Sequence, residues 1–327
     1  MLAVYGSSNG NLAELPIGPE PRVPENALWI DLIEPTHEEE TLVEEALGID
    51  IPTREELAEI EASSRLYQED GAAFMTANLI RRGGDDQPES SPVTFIIKDR
   101  LLITVRYHYP QAFPIFIRRA MKAHTGPING LNLLISLLEA VVDRAADHLE
   151  RVGQIVDDTS KRVFHSTRRK RNPSFEELLQ RIGEEGDFTS KMRESLVGIG
   201  RLCAFMSAIM DQAPKPTRDA RDTRGRLKTL QRDIISLTDH ASFLSAKISF
   251  LLDAVLGMIQ IEQNDIIKIF SVAAVGFLPP TLVASVYGMN FKTMPELQWE
   301  WGYPFAIALM VLSGVVPLVY FRRKGWL

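Results

Sequence analysis

Cysteine is almost absent from this chain: Cys203 is the only one in 327 residues. That excludes an intramolecular disulfide and fits a reducing compartment. Cys203 itself reads as a small apolar core residue rather than a nucleophile. Residues 1–10 lack the basic-then-apolar pattern of a secretory signal, so the bulk of the chain is expected in the cytosol. No Gly-x-x-x-x-Gly-Lys-Ser/Thr, His-Glu-x-x-His or Cys-x-x-Cys pattern occurs, which removes the phosphate-loop and common zinc-site classes. The six histidines (His37, His108, His124, His148, His165 and His240) are scattered and read as surface or core residues. The first 265 residues carry no nucleophile-and-base signature.

Charge is missing in two places, and those gaps carry more weight than any residue that is present. No charged side chain occurs over residues 269–289, bracketed by Lys268 and Lys292, or over 301–321, bracketed by Glu300 and Arg322. Each run has 21 residues. At ~1.5 Å per residue either crosses the ~30 Å hydrocarbon core of a bilayer. None of the histidines falls in them. The remainder is polar enough to dilute both runs, so a composition with 24% charged residues looks soluble on average. Two runs joined by residues 292–300 form a C-terminal membrane hairpin. Lys268 and the tail Arg322-Arg323-Lys324 are basic, whereas the connecting loop sets Lys292 against Glu296 and Glu300. Both termini are therefore expected in the cytoplasm, with the loop outside. Trp299, Trp301, Tyr303 and Trp326 stand where interfacial aromatic belts lie.

The first ~125 residues predict an αβα-layered domain. Strand candidates are 27–33, 72–80, 93–97 and 101–106. Capping boxes at Thr36/Glu39 and Thr53/Glu56 each open a helix, and 83–86 with Pro88 and Pro92 read as a loop. Between Asp31 and Asp70 there are 14 acidic residues against Arg54 and Arg65. Two readings stand: solvated helix faces, or a surface that collects divalent cations. Lys161, Arg162, Arg168, Arg169, Lys170 and Arg171 lack an interleaved aromatic platform, so they predict a solvated turn or charge partner rather than a nucleic-acid interface.

From Asn129 onward strand signals vanish. Helices are predicted to ~165, over ~174–212, and from Thr217 after the breaks at Pro214 and Pro216. The next proline is Pro279, leaving 62 proline-free residues. Leu227, Leu230, Ile234, Leu237, Ala241, Leu244, Ile248, Leu251, Val255 and Met258 recur at steps of 3 and 4, the seam of a coiled coil or bundle. Ser242, Ala246, Ser249, Asp253, Gly257, Gln260 and Asn264 form a second, small-or-polar stripe. Such a helix running on into a membrane span suggests several copies around a wet axis. A solvent-facing stripe below the membrane is the other reading, above all for Asp253. Pro279-Pro280 frees backbone carbonyls near Val275 and Gly276. These either face water or Thr281, or mark a kink that only shapes packing.

Tyr287-Gly288-Met289-Asn290-Phe291, the loop Met294-Pro295-Glu296-Leu297, Gly302-Tyr303-Pro304 and the tail Arg322-Arg323-Lys324-Gly325-Trp326-Leu327 together resemble the CorA family of magnesium transporters. Gly-Met-Asn is that family's signature, and Trp29-Ile30-Asp31-Leu32 resembles a strand of its N-terminal domain. The resemblance implies a homopentameric channel in the inner (plasma) membrane. Its parts are a cytoplasmic α/β domain at 1–128, a long-helix stalk at 129–267 and a pore-lining span at 268–291. An extracytoplasmic loop at 292–300, a second span at 301–321 and a basic cytoplasmic tail at 322–327 complete it. It implies a selectivity filter at Gly288, Met289 and Asn290, and pore-lining rings at Asp253, Asn264 and Thr281. Gate positions correspond to Ile267, Phe270 and Leu278. It also implies Mg²⁺ as both cargo and regulator, with Co²⁺ and Ni²⁺ as further cargo. Zinc, carried by a branch sharing the Gly-Met-Asn turn, is the alternative within the class. A membrane-anchored scaffold or enzyme is the alternative outside it.

Overall fold

The computed structural model describes residues 1–8, 11–16, 23–57, 61–81, 88–122, 129–165, 175–212, 218–290, 292 and 294–326. The loop expected at 83–86, the basic residues 168–171, the breaks at Pro214 and Pro216, and Phe291 lie outside the described residues. Within them the chain falls into two compact units, Met1–Leu251 and Leu252–Leu327.

The first unit is built on a mixed sheet of seven strands. These are β1 (Leu2–Ser8), β2 (Asn11–Leu15), β3 (Ala27–Ile33), β4 (Leu66–Glu69), β5 (Ala72–Arg81), β6 (Glu89–Lys98) and β7 (Leu101–Arg106). Their order is β2-β1-β3-β7-β6-β5-β4, with β3 and β7 parallel. The four expected strands are all present. β1, β2 and β4 were not expected: Asn11–Leu15 has no β-branched or aromatic residue, and pairing with β1 rather than propensity makes it a strand.

Alternation along the strands sends two sets of side chains to opposite faces. Ile30, Leu32, Phe74, Ile96, Ile103 and Val105 pack with Val43 and Leu57 from helices α1 (His37–Leu47) and α2 (Arg54–Leu57). A single turn, α3 (Ala62–Arg65), follows α2. Both capping boxes form. Thr36 caps α1 with its reciprocal Glu39 contact, and Thr53 and Glu56 exchange backbone bonds at the start of α2. The opposite face is covered by α4 (Ala112–Ala120), α5 (Gly130–His165) and α6 (Phe175–Asp211). There Trp29 meets Phe113 and Phe116 of α4 at 6.1 Å. The Ser195 hydroxyl of α6 donates to the Asn78 carbonyl of β5 at 2.6 Å. Helices on both faces give the expected αβα layering.

That second face holds a buried charge. Asp31 is fully buried and Arg106 almost so. Arg106 forks onto the carboxylate, Nη2 to Oδ2 at 2.8 Å and Nε to Oδ1 at 3.1 Å. The Thr104 hydroxyl donates to Asp31 Oδ1 at 2.7 Å, and Trp29 Nε1 donates to Thr104 at 2.9 Å. Arg106 also donates to the His108 carbonyl and lies 4.5 Å from the Phe113 ring centroid. Parallel pairing of Asp31 with Thr104 sets these groups side by side.

Helix α7 (Arg218–Tyr287) is unbroken for 70 residues and enters both units. The predicted seam is its packing face in the first unit: Leu227, Leu230, Ile234, Ala241, Leu244, Ile248 and Leu251 are buried. They sit over glycines of the same chain. Gly153 of α5 lies under Leu244, while Gly200 and Gly186 of α6 lie under Ile234 and Ile248. The seam is thus the core of an intrachain three-helix bundle. Arg226 bridges α7 to Glu139 of α5 at 2.6 Å, and Lys247 pairs with Asp157. Cys203 is buried in α6, and burial pushes its thiol up to about 12, as a core residue requires.

Candidate conduction path

The second unit consists of the end of α7, a short turn, a 3-10 segment at Pro295–Gln298 and helix α8 (Gly302–Arg323). Both helices are long and apolar enough to cross a membrane, and only 6% of the most apolar window of each is buried. A core helix of a soluble protein of this composition would be mostly covered, so these side chains need another apolar environment. Helix α7 stops at Tyr287 and α8 starts at Gly302, within two residues of the ends of the uncharged runs.

Gly288, Met289 and Asn290 lie just past the helix end and are exposed. The Gly288 amide donates to Ala284 O at 2.9 Å and the Met289 amide to Val286 O at 3.3 Å, tightening the last turn. A Cβ at Gly288 would stand 3.0 Å from Ala284 O. Close approach to that carbonyl, not a left-handed backbone, is what calls for glycine here. Asn290 follows at the tip. The Glu296 side chain lies outside the described residues, although its backbone belongs to the 3-10 segment.

Along α7, Asp253, Gly257, Gln260, Asn264 and Ile267 succeed one another at steps of 4 and 3 and form one stripe. Leu278 falls on the continuation of that line, while Phe270 and Thr281 flank it by about a quarter turn. Asp253, Asn264 and Thr281 are exposed. So are Ile267, Phe270 and Leu278, at 61%, 70% and 66%. The stripe faces nearly half a turn away from the side of α7 that meets α8, where Gly276 and Pro280 touch Leu318 and Gly314. Every expected lining and gate residue therefore stays uncovered by its own chain.

Helix α7 continues through Pro279-Pro280. Neither proline supplies an N–H, so the carbonyls of Val275 and Gly276 lose their intrahelical donors. Thr281 does not serve them: its hydroxyl donates to Phe277 O at 2.7 Å. The Gly276 carbonyl instead faces Gly314 of α8. Of the two expectations for this proline pair, packing holds for the Gly276 carbonyl. Sequence reasoning missed Gly314, because a glycine inside a span is conspicuous only once its partner helix is known.

The tail closes α8 with a hydrogen-bonded cap. Gly325 takes φ 72°; its amide donates to Arg322 O at 3.2 Å, and the Trp326 amide reaches back to Phe321 O at 3.0 Å. Trp326 stacks on Phe321 at 5.2 Å, with the Lys324 ammonium above the Tyr320 and Trp326 rings. Aromatics and basic groups are thus gathered at one end of the helix, as an interfacial anchor requires. Among the described residues no group of three or more His, Cys, Asp or Glu side chains is placed to hold a metal ion within one chain. The described carboxylates of the stretch 31–70 accordingly stand apart, several of them engaged: Glu39 with the N-terminus, Glu44 with Ile51 N, and Glu56 with Thr53.

Fold and geometry define a class: an αβα unit feeding one helix into a two-helix membrane hairpin, with a polar stripe and an Asn-tipped turn on that helix. Comparison with known proteins agrees. The family model described as CorA-like Mg2+ transporter protein matches residues 24–323. Over 331 residues the chain is 38% identical to Magnesium transport protein CorA of Escherichia coli (strain K12), with both chains covered in full. It is 36% identical over 327 residues to the protein of the same name from Yersinia pseudotuberculosis, again covering both. The complete structure of the CorA magnesium transporter from Methanocaldococcus jannaschii shares the fold, with TM-score 0.76 at 19% identity over 100% of this chain and 99% of that one. The chain belongs to the CorA-like Mg2+ transporter family, and it is by family a transporter and not an enzyme.

Proposed function

We propose that this chain is a passive magnesium channel of the inner (plasma) membrane, working as a homopentamer with both termini in the cytoplasm. The observation that carries the reading is the uncovered stripe Asp253–Gln260–Asn264 leading along α7 toward an exposed Asn290 at the helix tip. The stripe lies on the stalk just below the span and runs on along the same helix face to Leu278 inside it; polar groups carried toward lipid are expensive, so that face belongs on an axis shared by several copies.

Mg²⁺ holds six waters and sheds them reluctantly. Carboxylates at the mouth would compete for the bare ion and hold what they captured. Asn290 instead offers neutral amide oxygens that accept hydrogen bonds from the ion's own waters. A ring of these at the outer mouth selects on hydrated size and outer-shell bonding. Gly288 and Met289 shape the turn that presents them. Further in, Asn264 and Thr281 provide neutral polar rings and Asp253 an anionic one that favours cations. Ile267, Phe270 and Leu278 supply apolar constrictions that close by dewetting. Inward movement of a divalent ion gains ~4.6 kcal/mol per 100 mV, so no nucleotide is needed. Co²⁺ and Ni²⁺, with similar hydrated shells, are further cargo, and intracellular Mg²⁺ bound between subunits favours the closed state.

Asn290→Ala in reconstituted liposomes tests the filter. Mg²⁺ uptake is expected to fall at least ~100-fold while light scattering still reports the wild-type oligomer. Uptake at the wild-type rate would remove Asn290 from the filter, and an oligomer other than five would remove the pentamer.

A further inference from the structure

We infer that Gly314 of α8 is a positioning residue for conduction: it is the seat on which the proline-bearing segment of the pore helix rests, and its lack of a side chain sets how closely that segment is held. The inference rests on the reading of α7 as the pore helix.

The geometry is specific. A Cβ placed on Gly314 would lie 3.2 Å from the Pro280 Cγ and 3.3 Å from the Gly276 carbonyl oxygen. Both distances are tighter than ordinary side-chain contact, and neither neighbour can yield by a rotamer change. One is a pyrrolidine ring locked in a helix, the other a backbone oxygen. No positive φ requires glycine at 314, so space alone explains it.

The two neighbours are chemically linked. Pro280 is the residue whose missing N–H would have bonded the Gly276 carbonyl. In hydrocarbon a carbonyl stripped of its donor is costly and has to be met by a neighbouring element. Here the group that faces it is the Gly314 backbone, on the side where a Cβ would stand. Small residues at such points let two spans approach backbone to backbone. Gly276 does not share the constraint: a Cβ there would meet Leu318 Cδ2 at 3.5 Å, an ordinary contact. The two glycines of one contact thus differ, and only that of α8 is sterically required.

Leu278 and Thr281 stand on the same turns as this contact but point elsewhere, into the proposed path. Pushing α7 away from α8 at Pro280 shifts those two rings toward or away from the axis without touching either. Gly314 therefore acts on conduction through the backbone of its neighbour.

The test uses full-length protein reconstituted in liposomes, with Mg²⁺ flux per assembled complex and thermal melting both read. Gly314→Ala is expected to lower flux roughly five- to tenfold and Gly314→Val to abolish it, as overpacking at a rigid contact implies. Gly276→Ala should keep flux within about twofold of wild type. Pro280→Ala restores an N–H for the Gly276 carbonyl and removes the ring, so Gly314→Ala combined with Pro280→Ala should recover flux beyond the additive expectation. The same pair should be coupled in melting temperature, a readout independent of transport. Unchanged flux in Gly314→Val, equal damage from Gly276→Ala, or no coupling with Pro280→Ala would each overturn the inference. Coupling in melting with no flux from the wild-type protein would instead sink the channel reading, and with it the positioning role.

Discussion

The two units treat the same kinds of side chain in opposite ways. In the first, Asp31 is at 0% exposure and answered by Arg106, Thr104 and, one bond further, Trp29. In the second, Asp253 and Asn264 are left exposed, and apolar side chains such as Phe277 stand at 76% exposure. The first unit meets its own needs within one chain. The second leaves these side chains bare within one chain, and in the function proposed above lipid covers one side of it and further copies the other. A polar group that the fold has satisfied carries architecture; one that the fold has left uncovered is available to an ion.

The largest test of that contrast is Asp31→Ala. It strands the Arg106 guanidinium and the Thr104 hydroxyl in the sheet's covered face, which should destabilise the first unit by about 3–5 kcal/mol. Hydrogen exchange across β3 and β7 reads the loss. Replacing Asp31 and Arg106 together by leucine should return much of it, since an apolar pair leaves no orphaned charge. If Asp31→Ala leaves exchange unchanged, the network contributes nothing and the contrast fails on its structural side.

A second test uses pH. His108 is buried at the end of β7, where its Nε2–H donates to Leu79 O at 3.2 Å. Burial lowers its pKa to about 4, and the charges of Arg106 and Arg81 push the same way against the bond to Leu79. With ~6.5 in the unfolded chain and about 4 in the folded one, the unfolded state binds the proton more readily. Stability is then fully present above pH ~6.5 and is lost as pH falls toward 4, by up to about 3 kcal/mol. His108→Gln should flatten that slope in melting curves of the full chain taken between pH 4 and 7. A slope that survives the substitution would assign it to other groups.

How much of this was legible beforehand follows the same division. Two uncharged runs of 21 residues and the Gly-Met-Asn turn announced the hairpin, because a bilayer's thickness is written directly into length and hydropathy. Steps of 3 and 4 announced the α7 seam, though not that its partners would be Gly153, Gly186 and Gly200 of the same chain. β2 stayed hidden because a short strand such as Asn11–Leu15 is held by its neighbour rather than by its own residues. The fork of Arg106 onto Asp31 joins residues 75 apart, and only the parallel register brings them together. The proline pair was visible, but its partner was not. Which helix face receives a freed carbonyl is a property of a pair of spans.

The smallest effect on stability, and the sharpest on the comparison, belongs to Asp253→Asn. The change is isosteric on an exposed site, so melting should move by no more than ~0.5 kcal/mol, the usual range for surface substitutions. What it removes is one negative charge per subunit on the uncovered stripe. A ring of like charge in a narrow passage concentrates counter-ions, so Mg²⁺ flux at low ionic strength should fall roughly tenfold. Because the Debye length shrinks from about 30 Å at 0.01 M to about 3 Å at 1 M salt, the difference from wild type should close as salt is raised. The paired outcome is what matters: Asp31→Ala costs stability, Asp253→Asn costs flux in a salt-dependent way. Should Asp253→Asn unfold the protein or leave flux unmoved at low salt, the stripe is packing or plain surface, and the polar groups of the second unit serve no ion.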